Sequence, residues 1–120
     1  MPDSHIEKFI HACLLCAKAC RELANTFTGV VEKAECVQTC RECADTCVIC
    51  SADLRDPFPR RANSCRVCPW TCELCAIDCE RHQDVRAKRC AVVCRQCAEE
   101  CRQVRYLVWE IECGKSKYPS

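Results

Sequence analysis

The stretch Cys36-Val37-Gln38-Thr39-Cys40-Arg41-Glu42-Cys43-Ala44-Asp45-Thr46-Cys47-Val48-Ile49-Cys50 decides the fold. Its cysteines advance by steps of four, three, four and three residues. The average, about 3.5, is the period that keeps one face of a helix against its neighbours in a bundle. The rhythm recurs in Cys13, Cys16 and Cys20, in Cys65, Cys68, Cys72, Cys75 and Cys79, and in Cys90, Cys94, Cys97 and Cys101, leaving only Cys113 outside. Four clusters predict four helices. Apolar residues prolong the same seams: Ile6 and Phe9 precede the first, Leu23 and Phe27 follow it, and Val104, Val108 and Ile111 extend the fourth. Cysteine thus stands where Leu or Val would fill a core.

Terminal signals bound the helices. Ser4 with Glu7 reads as a capping box, and Gly29 as the terminator of the first helix. Asp56 before Pro57 and Asp84 before Val85 read as caps of the third and fourth, with Gly114 as the last stop. The expected helices are about 5–27, 30–54, 58–82 and 85–113. Their short connections favour an up-down-up-down order. The expected fold is therefore all-α: one antiparallel four-helix bundle with a cysteine-lined core, spanning 1–120 as a single domain. Pro69 falls inside the third cluster, where it removes one backbone hydrogen bond at a cost of roughly 3 kcal/mol. A kink is expected there, since a helix starting at Pro69 would leave Cys65 off the seam.

Composition narrows the function. The chain has 120 residues, 18 Cys, 2 Gly and a formal charge of +1. That balance gives no reason to expect nucleic acid as a partner. The start, Met1 to Glu7, lacks a basic stretch followed by an apolar core, and no apolar run approaches about 18 residues, so no membrane association is expected. The expected location is the cytoplasm, where thiols stay reduced and an even cysteine count does not imply disulfides.

Free thiols three or four residues apart on one helix lie roughly 5–6 Å apart at Cβ and converge on a single ion. A two-coordinate S–metal–S unit spans roughly 4.5 Å if the bond is near 2.3 Å. Such soft ligands suit Cu(I), Zn(II) or iron–sulfur clusters. Charge separates them. A tetrathiolate Zn(II) site carries a net −2, which is costly to bury repeatedly without paired cations, and no Lys or Arg occupies the cysteine rows. Thiolates that each bridge two Cu(I) ions give a neutral core with about one ion per thiolate. The seventeen seam cysteines are the candidate ligands. As inert packing they would leave the core underfilled, because cysteine is small and uniform.

The sequence resembles the bacterial copper storage proteins, cysteine-rich four-helix bundles, in their cytosolic form. The resemblance runs from about His5 to Ile111. It is carried by the Cys-x-x-Cys and Cys-x-x-x-Cys steps and by Cys72-Glu73-Leu74-Cys75-Ala76-Ile77-Asp78-Cys79-Glu80-Arg81-His82, leading into Cys90-Ala91-Val92-Val93-Cys94-Arg95-Gln96-Cys97. It implies copper homeostasis: a Cu(I)-filled core, a cytoplasmic store and a homotetramer. It also implies exchange with a copper donor or acceptor, protein or small molecule. Two departures stand out: Arg86 lies where a further His is expected near the turn between helices 3 and 4, and helix 1 has Leu23 and Phe27 in place of more cysteine.

The topology gathers Ile6, Phe9, Leu54, Phe58, Val104, Val108 and Ile111 at one end, which should be sealed. Leu23, Phe27, Lys33, His82 and Arg86 gather at the other. His82 continues the third seam from Cys79, so it joins the candidate ligands and copper is expected to enter there, although a His at a helix end is ordinarily a solvated side chain or a cap. His5 and His11 fall off the seam. Three rivals remain: a zinc- or cadmium-binding metallothionein-like buffer, a disulfide-stapled interaction module, and a Cys-x-x-Cys redox enzyme. No βαβ pattern accompanies any such pair, and no nucleophile has a base beside it, so catalysis is not expected.

Overall fold

The computed structural model describes the backbone of residues 2–55 and 63–117 and the side chains of 6–55 and 67–103. Four helices follow one another: α1 (Pro2–Phe27), α2 (Ala34–Arg55), α3 (Asn63–Glu80) and α4 (Val85–Lys117). No strand occurs among the described residues. α1 packs on α2 and α4, and α3 packs on the same two, so the helices form a ring around one axis. The thiols fix the register. Cys47 meets Cys68, Cys43 meets Cys72 and Cys40 meets Cys79 between α2 and α3. Cys13 meets Cys97, Cys16 meets Cys94 and Cys20 meets Cys90 between α1 and α4. One number rises as the other falls, which is antiparallel pairing. The expected four-helix bundle with cysteines in its core is the fold observed.

A second repeat lies one residue beyond the cysteine seam. Ala17 and Ala24, Val37, Ala44 and Ser51, Pro69 and Ala76, and Ala91 and Ala98 recur in steps of seven, and all are buried. Small side chains here let neighbouring helices close on one another, so thiols alone fill the axis. Pro69 occupies the slot that alanine takes elsewhere. α3 continues on both sides of it; a helix starting at Pro69 is excluded.

Several boundaries differ from those the sequence predicts. α1 is already helical at Ser4 and starts at Pro2, whose missing N–H is no loss in a first turn. Before α2 a 3-10 turn covers Val31–Lys33, and Val30 is extended, so the α-helix starts at Ala34 and not near 30. The turn is held by Lys33 N–H donating to Val30 O at 3.0 Å. α3 ends at Glu80, two residues before the expected position, because Arg81 and His82 donate to Asp78 O and Cys79 O in tight turns. α4 runs through Gly114 to Lys117: a glycine costs a helix only about 1 kcal/mol relative to alanine and does not by itself stop it. Gly29 does follow the end of α1, at φ +89, and Asp84 caps α4 through Arg86 N–H at 2.7 Å. The expected cap at Asp56 and the start near 58 lie outside the described residues.

Candidate metal centre

The sixteen cysteines whose side chains are described, from Cys13 to Cys101, are reduced and all buried. The side chains of Cys65 and Cys113 lie outside the described residues. Across the axis the Sγ atoms approach to between 3.6 Å (Cys20–Cys94) and 4.0 Å (Cys47–Cys68). They form quartets: Cys13, Cys47, Cys68 and Cys97; Cys16, Cys43, Cys47 and Cys72; Cys16, Cys20, Cys43 and Cys94; Cys20, Cys40, Cys75 and Cys90. Successive quartets share members. Cys16, Cys20, Cys43 and Cys47 each belong to at least two, so the quartets are overlapping stations along one continuous column. With bonds of about 2.3 Å, sulfurs about 3.8–4.0 Å apart suit three- or four-coordinate metal with little movement.

Electrostatics follow from burial. Cys36 is raised above the usual thiol range, first by desolvation and next by the Asp78 carboxylate. Deeper in, a thiolate at Cys16 is held by S–H donors from Cys20 and Cys43 and so is favoured. Its neighbour Cys20 is pushed well up, chiefly because it supplies such a donor to Cys16. The quartet thiols share hydrogen bonds with one another, and metal binding to them displaces protons.

The column ends in a layer with three thiols, Cys36, Cys40 and Cys79. Beyond this layer Phe27 of α1 is buried under a cationic lid. Lys33 Nζ lies 4.7 Å from its ring centre, and the Arg86 guanidinium 5.9 Å. The His82 ring lies 6.1 Å away. Lys33 Nζ lies 3.1 Å from His82 Nδ1. His82 thus sits at the expected end, past the terminus of α3 and between α2 and α3. Leu23 is buried there too, and a cavity of about 320 Å³ opens beside Cys90, between Leu23, Arg86 and Arg89. At the opposite end Phe9 and Leu54 are buried and Ile6 packs against the core. Phe58 and the side chains of Val104, Val108 and Ile111 lie outside the described residues, as does that of His5; His11 is exposed.

Sequence reasoning missed Asp78. It precedes Cys79, is 9% exposed, and buries Oδ2 without a hydrogen-bond partner. An acidic residue between two cysteines reads as a solvated flank, and no pattern in the sequence marks this one as enclosed.

Comparison with known proteins places this geometry in context. Residues 2–106 match a family model described as copper storage protein. The chain is 32% identical over 108 residues to the uncharacterized cysteine-rich protein YhjQ of Bacillus subtilis (strain 168), covering 85% of this chain and 97% of that one. Among solved structures it is similar to a cytosolic copper storage protein from Streptomyces lividans loaded with five coppers. That match has a TM-score of 0.82 and 27% identity, over 88% of this chain and 95% of the other. A mutant of the Streptomyces lividans protein gives a TM-score of 0.81 at 27% identity, over 87% and 94%.

Proposed function

This chain belongs to the copper storage protein family, and on that footing we propose that it stores and buffers Cu(I) in the cytoplasm and catalyses no reaction. The sharing of Cys16, Cys20, Cys43 and Cys47 between quartets supports this reading above all. Isolated tetrathiolate sites need four private sulfurs each, whereas bridged Cu(I) requires shared ones, and only bridging keeps a buried column near neutrality. The ligands are the seventeen seam cysteines, with His82 as a peripheral ligand at the terminal layer. The 120 residues act as one domain, assembled into a homo-oligomer, a tetramer by analogy with its family. Copper is exchanged with a donor or acceptor, protein or small molecule. No described helix is long and apolar enough to cross a membrane.

Titration of the reduced protein with Cu(I) against a chromophoric chelator tests the proposal. Saturation well above ten ions per chain is expected. Saturation at four or five, or displacement of Cu(I) by equimolar Zn(II), would point to discrete tetrathiolate sites and a zinc buffer.

A further inference from the structure

Among the described residues, Asp78 Oδ2 is the buried side-chain oxygen left without a partner. Its other oxygen reaches Arg81 only at 3.8 Å. Burying a carboxylate in this way is destabilising, so packing alone does not account for it. Its position does. Asp78 lies on the side of α3 that faces α2, since Arg81 reaches both Asp78 and, at 4.0 Å, Glu35, the residue before Cys36. Both contacts are longer than hydrogen bonds. The exposed Arg81 guanidinium therefore lies between a carboxylate of α3 and one of α2, and Asp78 adjoins the three-thiol layer of Cys36, Cys40 and Cys79, preceding Cys79 in sequence and acting on the Cys36 thiol.

We propose that Asp78 draws Cu(I) into the column from the side where α2 and α3 meet and passes it to Cys36 and Cys79. The inference rests on the storage reading and adds the route. The axial opening is filled by Phe27 under Lys33 and Arg86, and the cavity beside Cys90 is flanked by Arg86 and Arg89. The Lys33 ammonium repels a monovalent cation from the first, and in the second Glu22 and two arginines line the wall, so no net negative charge draws it in. At Asp78 it meets negative charge in a region screened from water, where attraction is strongest. A hard carboxylate oxygen attracts Cu(I) without holding it against soft sulfur, so the ion moves on. It remains Cu(I), and the thiol that receives it releases its proton to buffer. Asp78 is a positioning residue in this scheme, and the stored ions rest on sulfur.

Stopped-flow loading of the full-length reduced protein, with Cu(I) supplied in acetonitrile, tests the route. Asp78→Asn should slow the initial phase about tenfold. Asp78→Glu should restore most of the rate. Asp45→Asn, the same charge change at an exposed site on α2, should load at the wild-type rate. Arg81→Gln, an exposed change that tolerates any packing at Asp78, should load faster. The proposal is overturned if Asp78→Asn matches wild type, if it lowers only the final ion count, if Asp45→Asn slows loading equally, or if Arg81→Gln has no effect. Failure of the wild-type protein to take up Cu(I) would sink the storage reading instead.

Discussion

At Asp84 one side chain sets where α4 begins. Its Oδ1 accepts the Arg86 backbone N–H at 2.7 Å, and the Arg86 guanidinium grips both carboxylate oxygens, at 3.0 and 2.8 Å. The guanidinium first, and then the backbone N–H, hold this carboxyl well below the usual aspartate range. A depressed folded-state value contributes stability above the unfolded value, about 3.9, and loses it as pH falls towards the folded one. Asp84→Ala should therefore melt a few degrees below wild type at pH 7, with the gap narrowing below about pH 4. Calorimetry across pH checks this. Thiols behave differently, because neighbours substitute for one another. Replacing Cys40, Cys43 and Cys47 together with Ser should lower Cu(I) capacity by about three ions, with the helical circular dichroism retained; collapse of the fold would make these thiols chiefly structural. The cap at Asp84 was legible in the sequence because it depends on residues two positions apart. The burial of Asp78 was not, because it depends on how α3 packs against α2.

Helices carry the information at the next scale. The 3.5-residue cysteine seam was readable because it is a property of one helix at a time, and it located each helix and its inward face. The repeat of small residues beside it was present in the same letters, at Ala17 and Ala24, at Ala44 and Ser51, at Ala91 and Ala98. It went unread because its meaning depends on how closely a second helix approaches. That repeat changes the reading of Pro69. Proline there leaves the Cys65 carbonyl without its helical donor but keeps a compact, buried side chain in a small-residue slot. Alanine, which fills the equivalent slot at Ala76, would restore the donor. Pro69→Ala should raise the thermal midpoint by an amount reflecting up to about 3 kcal/mol of helix preference, less whatever packing the ring supplies. A lower midpoint would show that the ring's contacts outweigh the hydrogen bond.

For the whole molecule, the scaffold precedes its cargo. Protonated thiols pack as small hydrophobes, and the bundle closes through its alanines and its terminal Phe9, Leu23 and Phe27, each contributing about 2 kcal/mol by burial. Metal-free protein should give a helical circular dichroism spectrum, and a coil that orders only with copper would refute this. The same burial makes the empty bundle sensitive to alkali. Cys36 is raised above the ordinary thiol range, first by desolvation and next by the Asp78 carboxylate. Raised values contribute stability that is fully present below the unfolded thiol value, about 8.5, and is lost as pH rises beyond it. The midpoint of reduced, metal-free protein should fall above about pH 8.5, while copper-loaded protein, its protons already displaced, should hold steady. The overlap of the quartets has a consequence for descent as well. An enzyme that mutates one member of its triad loses its reaction, but a column of interchangeable sulfurs loses one increment of capacity. A single base change that creates or removes a cysteine on the seam is then a small quantitative step. Selection can tune the size of the store along a gradient and need not cross a valley.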